Sequence, residues 1–161
     1  MNLIHKLLRQ DHIALDLDVA SKKRVFEHIG LMFENTQKIS HTLIFDSLLN
    51  RERLGSTGLG YGVAIPHGRL KKLRDASGAF VRTLTPIPFE SPDGQPVNLI
   101  FVVLVPEHAT EQHLQILSEL AQVFSDPAIR DALNACKSTD DAYQILTDWS
   151  SYAPHQRSAT L

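Results

Sequence analysis

The chain has 161 residues, 43% of them hydrophobic, which suits one domain with a core of its own. A formal charge of −2, with no strongly basic run, argues against nucleic acid as the main partner. Cys136 is the single cysteine, so no internal disulfide can form, and no apolar run approaches the roughly 20 residues that a membrane span needs. The opening MNLIHKLLRQ lacks the apolar core and small-residue cleavage site of a secretory signal, and a cytoplasmic location fits.

In chain order, Asn2–Arg9 suits a short amphipathic turn of helix, with Leu3, Ile4, Leu7 and Leu8 on one side. His12–Leu17 alternates weakly and suits an edge strand. Ser21 is a candidate cap for a helix in which Val25, Ile29, Met32 and Phe33 recur at helical spacing. Ser40 is a second candidate cap. Ile44, Leu48 and Leu49, supported by Phe45 and Leu54, line the helix that follows, which should end near Arg53.

Four of the eight glycines then fall between Gly55 and Gly62. Val63-Ala64-Ile65 predicts a brief buried strand, stopped by Pro66, with His67 and Gly68 next. The charged segment Arg69–Ser77 suggests a loop, and Gly78–Leu84 a strand. Thr85–Pro96 carries four prolines and Asp93-Gly94, a turn signal. Val97–Val105 has no alternation and predicts a strand buried on both faces, closed by Pro106. Thr110 should cap a helix with a stripe of Leu114, Leu117, Leu120, Ala121 and Phe124. Pro127 opens a short helix, and Ala142, Ile145, Leu146 and Trp149 mark the last one. Helices and strands mixed in one unit give an α/β single domain over 1–149. A polar tail at 150–161 is expected to be disordered.

His67 is the residue best placed for chemistry. Imidazole is nucleophilic near neutral pH, and its phosphorylated form is reactive enough for a relay. Glycine-turn N–H groups and the arginines Arg51, Arg53 and Arg69 offer the charge stabilisation that phosphoryl transfer needs. The plainer alternative is a histidine filling a turn after a proline. The glycine cluster does not suit a nucleotide loop: it follows a helix, lacks the Gly-Lys-Ser/Thr ending, and is not spaced G-x-G-x-x-G.

His113 stands in the first turn of a helix, where anions are attracted. It could touch a phosphoryl oxygen or orient His67, or be an exposed residue without a role. His108 and His113 do not share a helical face and no metal motif accompanies them, so neither a metal nor a cofactor is expected. His5, His12, His28, His41 and His155 have no company that implies chemistry. Arg51 and Arg53 could equally be solvated cations at a helix C-terminus. Ser56 lacks a nucleophile context. Cys136 has no basic neighbour arranged to activate it beyond Lys137.

The run Arg51-Glu52-Arg53-Leu54-Gly55-Ser56-Thr57-Gly58, continued by Gly62-Val63-Ala64-Ile65-Pro66-His67-Gly68, resembles the phosphorylation-site signature of the bacterial phosphotransferase system IIA proteins. The likeness is to the fructose–mannitol type and, within it, the nitrogen-regulatory branch. It extends from Leu3 to Trp149 and includes the strand Val97–Val105 before the helix bearing His113. The resemblance implies the type-2 EIIA fold, a mixed β-sheet flanked by helices. It implies that His67 accepts a phosphoryl group on Nε2 from a phosphorylated HPr-like carrier, and that His113 and Arg51 help hold that group. Arg69 stands where the family often has lysine, which keeps the charge. The nitrogen branch implies signalling of nitrogen and potassium status through target proteins such as potassium transporters or sensor kinases. The alternatives are a sugar-specific IIA component that passes phosphate to a IIB protein, and a binding module without catalysis.

Overall fold

Both faces of the strand expected at Val97–Val105 are covered, which is why its sequence does not alternate. The computed structural model describes residues 3–108 and 110–149, and this strand is β6 (Val97–Pro106). Six strands form one mixed sheet: β1 (Leu8–Leu17), β2 (Gly58–Gly60), β3 (Val63–Ala64), β4 (His67–Leu70), β5 (Ser77–Ile87) and β6. Their order is β1-β5-β6-β3-β2, and β4 also pairs with β6. β5 runs antiparallel to β6 and parallel to β1, whereas β3 and β4 both run parallel to β6.

β3 and β4 are two pieces of one line alongside β6. Val63 pairs with Leu99 and His67 with Val103, and the break between them is Ile65-Pro66. Pro66 has no N–H to give, but its carbonyl accepts from Val103 N at 2.9 Å and keeps the line attached. Arg69 and Leu70, expected in a loop, therefore extend a strand. A four-residue strand holding a histidine and an arginine has no apolar pattern to announce it.

Helices cover the two faces. α2 (Lys22–Gln37) and α3 (His41–Leu54) lie on one, and Phe26, Phe33, Ile44 and Leu48 pack against Val81, Ile100, Val102 and Leu104. α1 (Ile4–Leu7), α4 (Thr110–Ser125), α5 (Pro127–Ala135) and α6 (Thr139–Asp148) lie on the other, where Ile116, Leu120, Leu133 and Leu146 meet Phe80, Phe101, Val103 and Val105. Among the described residues no helix is long and apolar enough to cross a membrane.

Ser21 caps α2 by accepting from Arg24 N. Ser40 sits at the start of α3 but makes no such bond; Glu34 reaches across and accepts from His41 N at 2.8 Å instead. Leu54 is 85% exposed and supports no core. His12 is fully buried, bonded through Nδ1 to Gly78 O and through Nε2 to Thr36 Oγ1. Cys136 does have a basic neighbour, the Arg82 guanidinium 3.5 Å from Sγ; burial nonetheless outweighs it and pushes the thiol up. The side-chain cap expected of Thr110 and the tail expected over 150–161 lie outside the described residues.

α4 turns inward part of the expected stripe, Leu120 and Phe124 with Leu117 beside them, and adds Ile116 and Val123 to it. Ile116, Leu120, Val123 and Phe124 are buried, whereas Leu114 is 64% exposed. His113 lies three residues before Ile116, in phase with that inner face. Its ring is accordingly 7% exposed, not a solvated side chain.

Candidate functional site

His67 begins β4 directly after the Pro66 break, with its ring half-buried on the α4 side of the sheet. Nδ1 lies 3.0 Å from the Ile65 carbonyl. A carbonyl only accepts, so Nδ1 carries the proton and Nε2 keeps a free electron pair. The Nε–H of Arg51 donates to that Nε2 at 3.2 Å. The two contacts agree on one tautomer, and the bonded nitrogen is the one facing the guanidinium.

Arg51 is held as well as placed. It sits in the last turn of α3, and its Nη1 donates to the Gly55 carbonyl at 2.9 Å. The next residue, Glu52, fixes that turn to the glycine segment. Its carboxylate is buried and accepts from Thr57 N at 3.0 Å, from Thr57 Oγ1 at 2.6 Å, and from Lys22 Nζ at 3.3 Å. A buried carboxylate needs such partners. Sequence reasoning missed Glu52 as a site residue. The signal was its position four residues after Leu48 and eight after Ile44, on the buried stripe of α3.

Gly68 allows α3 and β4 to approach each other. A Cβ there would stand 2.3 Å from Ser47 Oγ, and that hydroxyl donates to the Arg69 carbonyl at 2.9 Å. Gly60 and Gly62 have φ of +93° and +81°, in the region that favours glycine, so the turn between β2 and β3 requires them. Tyr61 between them also has positive φ, and its N–H donates to Asp93 Oδ2 at 3.0 Å.

His113 reaches His67 from α4. The rings meet edge to face, with centroids 4.9 Å apart and an interplanar angle of 83°. Its Nδ1 is buried and has no hydrogen-bond partner. Burial pushes the His113 pKa down to about 4, helped by His67, Arg69 and Arg51. Burial also lowers His67, and Arg51 and Arg69 add to this, while the Ile65 carbonyl and Glu52 oppose it. Both rings are therefore neutral near pH 7, in a field made positive by two arginines. That arrangement offers an uncharged nucleophilic nitrogen and a welcome for an anion beside it.

The structure thus brings together His67, His113 and Arg51, with Arg69 nearby. Arg53 and His108 are exposed, and among the described residues neither forms a hydrogen bond or ring contact with His67 or His113. Among the described residues no three of His, Cys, Asp and Glu gather closely enough to hold a metal ion.

Residues 6–149 match the family model described as the phosphoenolpyruvate-dependent sugar phosphotransferase system, EIIA 2. A nitrogen regulatory protein of Klebsiella oxytoca is 40% identical over 147 residues, 90% of each chain. One from Escherichia coli (strain K12) is 44% identical over 130 residues, 80% of this chain and 79% of that one. The crystal structure of nitrogen regulatory protein IIA-Ntr from Neisseria meningitidis aligns with a TM-score of 0.85 at 51% identity, covering 90% of this chain and 99% of that one. The chain belongs to the EIIA type 2 family of the phosphotransferase system, and the relatives it most resembles among these are nitrogen regulatory proteins.

Proposed function

We propose that the protein is a phosphoryl carrier with a regulatory output, and that His67 is its acceptor. The observation that carries this reading is the tautomer held between Ile65 and Arg51. It leaves the electron pair of Nε2 unprotonated, on a half-buried ring and facing a cation. A phosphorylated HPr-like carrier presents its phosphohistidine at this ring. The Nε2 electron pair forms the new N–P bond as the carrier's P–N bond breaks. The carrier's ring, protonated on its other nitrogen, leaves as neutral imidazole. His67 keeps its Nδ1 proton, and the Ile65 carbonyl offsets the positive charge the ring then carries. Arg51 is freed from Nε2 and turns its donors to the phosphoryl oxygens. His113, neutral at rest, adds one N–H donor. The work of the site is alignment and charge stabilisation, with no metal or cofactor in the step.

The added charge and acceptor oxygens change the face a partner meets, and that is the regulatory signal. Targets of the kind the resemblance implies, potassium transporters or sensor kinases, would read it in the cytoplasm. The high identity to nitrogen regulatory proteins supports this output. The description of the matched family as part of a sugar system keeps transfer to a IIB protein as the second reading. Incubation with phosphoenolpyruvate, enzyme I and the HPr-like carrier tests the proposal. Acid-labile phosphate should appear on the protein and vanish in His67→Ala. Retention of label in that variant overturns the acceptor role. Passage of label to a IIB protein, with sugar uptake depending on it, favours the second reading.

A further inference from the structure

The run Arg69-Leu70-Lys71-Lys72-Leu73-Arg74 packs four of the chain's 16 lysines and arginines into six residues, a concentration that the net charge of −2 conceals. Leu70 and Leu73 turn inward and are buried, while the four cations are exposed. Among the described residues none of the four forms an ion pair. A run of charge is ordinarily a solvated face. What sets this one apart is the apolar floor beside it. Ile39, Leu43 and Leu70 line a groove of about 440 Å³ whose rim is Arg69, Lys71 and Lys72. Leu43 is 46% exposed there. The nearest acidic residue in sequence, Asp75, lines a different hollow, with Leu3 and Lys6.

We propose that this groove docks an acidic amphipathic segment of a partner protein, and that phosphorylation of His67 releases it. Charge complementarity selects the occupant. Apolar side chains of the segment cover Leu43 and Leu70, and its carboxylates meet cations that otherwise have only water. Arg69 joins the groove to the site. It lies two residues from His67 on the same side of β4, and its charge is felt by both His67 and His113. A dianion on His67 neutralises the field of Arg69 beside it and repels the carboxylates of the segment. The docking stands on the groove alone, and its release rests on the phosphoryl reading above.

The test is fluorescence anisotropy on the full chain. The probe is a fluorescein-labelled helical peptide with leucines along one face and glutamates along the other. Saturable binding is expected, weakening with added salt. Reversing two rim charges, Lys71→Glu with Lys72→Glu, should weaken it about tenfold or more, and phosphorylation should do the same. Arg53→Glu, an exposed cation outside the groove, should leave it unchanged. No binding, or equal binding by the double variant, overturns the docking. So does stronger capture by phosphatidylglycerol vesicles or RNA that the same substitutions abolish. Equal affinity before and after phosphorylation overturns the release. If the protein cannot be phosphorylated at all, the phosphoryl reading falls, while titration of the unmodified chain still decides the groove.

Discussion

The rings of His67 and His113 meet edge to face at 4.9 Å, one on a sheet strand and the other on a helix laid over it. The contact exists because His113 occupies a core position of α4, in phase with Ile116, Leu120 and Val123. Burial there keeps His113 uncharged until about pH 4. At rest it therefore adds no charge to the pocket. A phosphoryl group on His67 reverses the balance, because a neighbouring dianion favours the protonated ring.

His113→Ala should leave His67 able to accept phosphate but shorten the life of the phosphorylated form. A loss of about tenfold in lifetime is expected for removal of one donor in a partly solvated pocket. Timed hydrolysis of labelled protein measures it. A lifetime equal to that of the parent chain would mean that His113 serves packing alone.

Arg51→Ala should slow phosphoryl transfer by roughly tenfold to a hundredfold, the effect of losing one preorganised charged donor. It should also raise the pKa of His67, since Arg51 is one of the charges that hold it down. Rapid-quench transfer rates and a histidine NMR titration report the two effects separately. Circular dichroism should be unchanged, because among the described residues the guanidinium hydrogen-bonds His67 and the Gly55 carbonyl and no core group.

Glu52→Ala acts through the scaffold. It strips acceptors from Thr57 N, Thr57 Oγ1 and Lys22 Nζ in a buried setting. A loss of about 2–4 kcal/mol of stability is expected. Glu52→Gln should recover part of it, since the amide oxygen can still accept from Thr57. Urea unfolding of the three proteins checks the order; equal midpoints would refute the anchoring role.

Stability should fall as pH falls from about 6.5 toward about 4. His12, His67 and His113 are all lowered from the ordinary histidine value of about 6.5, chiefly by burial, and His113 reaches about 4. Across that window the unfolded chain binds more protons than the folded one. The contribution is complete above the window and is lost on descending through it. Asp11, Glu34 and Asp93, also lowered, act with the same sign at lower pH. Urea midpoints measured through this range should decline with acidity; a constant or rising midpoint contradicts the burial of these rings.

Much of this was legible in the residues. The run of β6, apolar almost throughout and interrupted at Asn98, announced a strand covered on both sides, and Ser21 announced the start of α2. The glycine segment, Pro66 and His67 pointed to the place where His67, Arg51 and His113 meet, because each has a local backbone reason to be there. The inner face of α4 was legible only in part. Leu120 and Phe124 of the expected stripe are buried and Leu117 packs beside them, but the helix also offers Ile116 and Val123, and only the sheet decides that these rather than Leu114 turn inward. β4 was hidden because four residues containing His67 and Arg69 have no periodicity. Ser40 holds the cap position of α3 as expected but makes no side-chain cap bond, because Glu34, six residues earlier, takes the His41 N–H across the α2–α3 corner.

The most direct measurement is heteronuclear NMR of the histidine-labelled protein after phosphorylation through the phosphoenolpyruvate relay. The account predicts phosphorus coupling at Nε2 of His67, with the proton retained on Nδ1 against the Ile65 carbonyl. Phosphate on Nδ1, on another residue, or on no residue at all would contradict it.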